Sequence, residues 1–242
     1  MRTSNPMISD RALERMDVSL GGRMTVNGTV NKAFLMLILL VAGAGWTWFQ
    51  VRAGMEGVLG LGMIGGIGGL VIAIATAFRP AWARYTAVVY AVLEGLFVGA
   101  ISALYETRYP GIVMQAVAVT FVTFFAMLAA YKFGWIKVTQ TFRNVVVAAT
   151  LALGTFYLLA FALSFFNVSM PIITNTGLFG IGFSVFAAGL AALNLVLDFD
   201  FIEAGEAEGF PAFMEWYGAF TLTVTLVWLY IELLRLLGKL RR

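Results

Sequence analysis

Residues 57–78 read GVLGLGMIGGIGGLVIAIATAF, without one charged side chain. A helix needs about 20 consecutive apolar residues to cross the hydrocarbon core of a bilayer, so this stretch predicts a membrane span. Its Gly60-x-Gly62-x-x-Gly65 matches the dinucleotide-binding fingerprint by letter, but that fingerprint needs a strand before it and a helix opening to solvent. Inside an apolar span the match is chance. The pairs Gly62/Gly66 and Gly65/Gly69 read instead as small residues that let two helices approach closely.

The rest of the chain repeats the pattern. Apolar runs long enough to cross a membrane fall near 33–51, 57–78, 85–105, 111–131, 144–166, 176–197 and 217–237. Arg79-Pro80, Tyr109-Pro110 and Pro171 punctuate the breaks between them. The expected fold is all-α, an integral membrane seven-helix bundle with no soluble domain. Residues 1–32 form a polar N-terminal segment and residues 33–240 the transmembrane domain. Composition agrees: 61% of the 242 residues are hydrophobic and 12% charged, against about 25% charged in soluble domains. The first apolar run lacks the small-residue cleavage site of a signal peptide and reads as a retained span.

Orientation follows from Lys and Arg. The N-terminal segment carries Arg2, Arg11, Arg15, Arg23 and Lys32, and further basic residues lie between spans two and three and between spans four and five. The other side holds Arg52, Arg108 and the C-terminal cluster ending in Lys239, Arg241 and Arg242. The excess puts the N-terminus in the cytoplasm by the positive-inside rule, although the basic tail pulls the other way. A 6–7 segment that dipped back into the membrane would place both termini there. The net charge of +3 follows membrane topology and implies no nucleic-acid partner.

Ionisable residues within spans cost about 2.5–3.5 kcal/mol at the bilayer centre on insertion scales and mark function by default. Glu94 is the clean case, central in the third span. Glu232 has Arg235 three residues on, the helical spacing of a structural ion pair. The sixth span ends in LNLVLDFDFIEAGEAEGFP, residues 193–211, where acids gather without a Lys or Arg. Of Asp198 and Asp200, two apart and so on different faces of a helix, Asp198 is the better candidate to face the bundle. Glu203, Glu206 and Glu208 read either as a solvated loop or as an acidic vestibule that concentrates cations. Oxygen ligands suit hard ions such as calcium, but no EF-hand spacing is present, so binding would be weak. The chain has no His and no Cys. Any proton switch must therefore use carboxylates, and no zinc or protease set suggests an enzyme.

The order of these motifs is similar to that of a known family. LVLDFDFIEAGEAEG at 195–209, LLRLLG at 233–238, RTSNP at 2–6 and VYAVLEGLFVGAISALYE at 89–106 resemble the Bax inhibitor-1 (transmembrane Bax inhibitor motif) family, prokaryotic branch. The resemblance implies a seven-helix bundle and a pH-sensitive calcium leak associated with two aspartates, one late in helix six and one in helix seven. Asp198 matches the first, and Thr225 stands at the second. Glu94 is then the candidate replacement partner. The expected function is a cation leak channel or transporter gated by carboxylate protonation in a bacterial inner membrane, with no cofactor. The alternative is a regulatory protein acting on membrane-protein partners such as proteases.

Overall fold

The structure is a computed structural model in which residues 22–164, 166, 170 and 175–241 are described. Most of the polar N-terminal segment, including Arg2, Arg11 and Arg15, and the break at Pro171 lie outside these residues. Among the described residues there are seven α-helices: α1 (Val26–Arg52), α2 (Val58–Phe78), α3 (Ala83–Arg108), α4 (Ile112–Lys132), α5 (Gln140–Ser164), α6 (Leu178–Ala207) and α7 (Met214–Leu240). Each is long and apolar enough to cross a membrane. A single 3₁₀ turn, Pro80–Trp82, leads into α3. Among the described residues the only β feature is an isolated antiparallel bridge between Arg23 and Pro211. Helix α7 is long and apolar enough for a full crossing.

Two boundaries differ from the sequence reading. Helix α1 starts at Val26 rather than at the apolar run near 33, because Thr25 caps it: the Thr25 hydroxyl accepts from Gly28 N at 2.9 Å. Helix α6 runs to Ala207, ten residues beyond the apolar run. Hydropathy falls at Asp198, but the residues that follow still form helix readily. The helix stops at Gly209, whose φ of +70° suits glycine. Phe210 N bonds Gly205 O and Gly209 N bonds Glu206 O, the paired closure of a Schellman end.

The helices fold as two units. One takes in the described part of Met1–Ala100 with Asp200–Thr223, the other Ile101–Phe199 with Val224–Arg242. In the first, the glycine stripe of α2 lies on α3 as its spacing predicts. A Cβ on Gly65 would sit 2.5 Å from Leu93 O, and one on Gly66 would sit 2.8 Å from the Phe97 ring. Helix α3 has a glycine seam of its own: Gly95 and Gly99 rest on the α1 backbone at Leu40 and Ala44. Close backbone approach is how helices gain packing in lipid. In the second unit, Val146 and Leu153 of α5 pack on Ala187 and Leu190 of α6, with Phe156, Tyr157 and Phe183 around them.

Candidate functional site

Glu94 lies well inside α3 and is buried, at 8% exposure. Its Oε2 sits over Gly69 of α2, where a Cβ would come within 2.5 Å. The glycine provides the clearance the carboxyl occupies. Among the described residues Glu94 makes no hydrogen bond. Tyr90, one turn earlier on the same face, is buried and meets the Phe220 ring edge-on at 5.1 Å. The carboxyl thus faces protein, as an ionisable group at membrane depth must.

The acids after residue 197 are not a loop. Asp198, Asp200, Glu203 and Glu206 all lie on α6, and only Glu208 follows it. This corrects the placement of Asp198 and Asp200 where the sixth helix ends and the reading of Glu203 and Glu206 as loop residues, while Glu208 lies beyond the helix as expected. Asp198 is half-buried, with its Oδ2 sealed from solvent. Asp200 is half-buried and Glu203, Glu206 and Glu208 are exposed. The helix therefore grades from a shielded carboxyl to open ones over its last three turns. Among the described residues no three acids converge as a metal-binding group.

Two polar centres carry more contacts than the sequence reading gave them. In the first unit, Glu215, in the first turn of α7, receives Thr25 N at 2.9 Å and Thr25 Oγ1 at 2.8 Å, and pairs with Lys32. The Lys32 ammonium also lies 5.5 Å from the Trp216 ring centroid. Val26 N donates to Glu206 at 3.0 Å. Carboxylates at a helix N-terminus satisfy its open amides and its positive dipole end. Sequence reading missed Glu215 because its partners are 183 and 190 residues away. The only local hint was a Thr at the start of the first helix.

In the second unit, Glu232 is fully buried and pairs with Arg235 at 2.9 Å, as the spacing predicts. It also accepts from Tyr157 OH at 2.8 Å and Trp228 Nε1 at 3.3 Å. Arg235 Nη1 donates to Tyr157 OH at 2.8 Å and lies over that ring. These donors satisfy the buried Glu232 carboxylate. Thr225, which the sequence resemblance sets against a second aspartate, is buried in α7.

The family model described as Bax inhibitor 1 like matches residues 5–242. The chain belongs to the Bax inhibitor 1 like family. A search of the curated proteins returned no match. Membership covers the whole helical array, so the seven-helix membrane fold and the family assignment rest on the same residues.

Proposed function

We propose that this Bax inhibitor 1 like protein is a pH-sensitive cation leak, with calcium the ion of choice, in a bacterial inner membrane, and that it catalyses no reaction. One observation carries the reading: the run of carboxylates along the last turns of α6, sealed at Asp198 and open at Glu203 and Glu206. An array of one sign draws cations toward it. A shielded carboxyl behind it can hold a proton or release it, and ion passage then depends on which. Glu94, the other inward carboxyl, replaces the missing second aspartate in this scheme, with Asp200 between the shielded and open groups.

The test is calcium entry into liposomes holding the purified protein and an entrapped indicator, measured across pH. Flux from protein alone that varies with pH supports the reading, and Asp198→Asn flattens the dependence. Unchanged pH dependence in that variant removes Asp198 from the mechanism. No flux from well-folded protein, with a membrane protein co-purifying, favours the regulatory alternative.

A further inference from the structure

We infer that residues 22–25, together with Lys32, form a strap that closes the acidic mouth from within by occupying Glu206 and Glu215. The strap is a built contact. Met24 N bonds Phe210 O at 2.6 Å and Ala212 N bonds Gly22 O at 2.9 Å, so this short segment runs antiparallel to the α6–α7 connection across the Arg23–Pro211 bridge. Met24 is buried, and its sulfur fills the space over Gly205. Beyond it, adjacent amides of the α1 N-terminus engage two different carboxylates, Thr25 N on Glu215 and Val26 N on Glu206.

The strap offers these acids what a cation would offer them. It presents a helix N-terminus with its partial positive charge and the Lys32 ammonium, and it carries the Arg23 guanidinium beside Gly209. Lys32 is a tethered cation on Glu215, with the lysine partly exposed and the carboxylate buried beneath it. A dissolved divalent ion, which carboxylates ligate through oxygen, therefore reaches Glu215 as the strap lifts and favours the lifted state. With the strap seated, Lys32 pairs with Glu215 and Val26 N caps Glu206, while Glu203 and Glu208 are exposed. With it lifted, all four contribute to the mouth. This inference rests on the cation-leak reading for its effect on flux, but lifting of the strap is measurable without flux.

The chain has no cysteine, which makes cross-linking clean. Residues 23 and 211 form a non-hydrogen-bonded antiparallel pair, whose Cα atoms lie about 4.5 Å apart, within disulfide range. In the Arg23→Cys, Pro211→Cys protein in liposomes, oxidation should lower calcium flux several-fold and a reductant should restore it. Calcium chloride added before the oxidant should slow cross-linking several-fold, and Lys32→Met should slow it further. Hydrogen exchange at Met24–Val26 in the unaltered chain gives the same readout without a substitution: exchange should quicken as calcium chloride rises. Flux indifferent to the disulfide overturns the strap as a closure while leaving the leak reading intact. Cross-linking and exchange that ignore both calcium and Lys32→Met make the segment a static brace and overturn the inference. Absence of flux in the parent chain, with calcium-dependent exchange retained, defeats the leak reading and not the strap.

Discussion

At the scale of single residues, the molecule separates carboxylates that are held from carboxylates that are not. Glu232 is held: Arg235, Tyr157 and Trp228 converge on it. Removing one partner of a buried ion pair costs about 3–5 kcal/mol, whereas replacing both is often nearly neutral. Arg235→Met should therefore lower the thermal midpoint in detergent sharply, and adding Glu232→Met should recover most of the loss. Equal losses in the single and double variants would show that the pair contributes little. Glu94 has no such donor among the described residues, and the missing side chain of Gly69 makes room for it. Gly69→Ala must displace the carboxyl or part α2 from α3, so it should alter the pH profile of flux, while Gly60→Ala, which meets open space, should leave it unchanged. Glu94 was legible in the sequence because a charge in an apolar run has few explanations. Glu215 was not, since its meaning lies in partners at the far end of the chain.

At the scale of elements, what could be read depended on whether hydropathy and helix propensity end together. They do in α2 and α4, where the apolar run and the helix agree within a residue or two. They part in α6, where the acids end the apolar run but not the helix, and in α1, where a capped polar turn precedes it. The glycine seam of α2 was readable from its four-residue spacing. The same spacing in Gly95 and Gly99 was equally available and marks the second face of α3. Both seams predict intolerance. At Gly95 a Cβ would press on the Leu40 backbone, with Leu40 C and Cα each at 3.1 Å, and a backbone cannot rotate aside. Overpacking of this kind costs about 1–3 kcal/mol, so Gly95→Ala should lower stability in detergent while Gly45→Ala, which meets nothing, should not. At the start of α1, Thr25→Ala loses a cap worth about 1 kcal/mol together with a bond to Glu215. Thr25→Ser should restore both. A Thr25→Ala protein as stable as its parent would remove the cap from the account.

At the scale of the whole molecule, helix parity and the contacts of the chain ends agree. Seven crossings put the N-terminus and the 2–3, 4–5 and 6–7 connections on one side, and the other connections with the C-terminus on the opposite side. Residues 22–24 bond the 6–7 connection at 210–212, as parity requires. At the other end of the chain, Arg241 donates to Pro110 O in the 3–4 connection at 2.8 Å, and Lys239 donates to Gly180 O near the start of α6 at 2.8 Å. The distribution of Lys and Arg predicts a cytoplasmic N-terminal side, and with it a cytoplasmic Glu208. Single cysteines at Met55, exposed between α1 and α2, and at Glu208, exposed after α6, test this in a chain with no other thiol. A membrane-impermeant maleimide applied to intact cells should label the Met55→Cys protein, and should reach Glu208→Cys only after permeabilisation. The reverse pattern would invert the orientation and put the acidic mouth outside, so that the leak would be fed from the external medium. Labelling of both in intact cells would mean that an odd number of crossings does not separate the two positions, and the seven-span topology would fall with it.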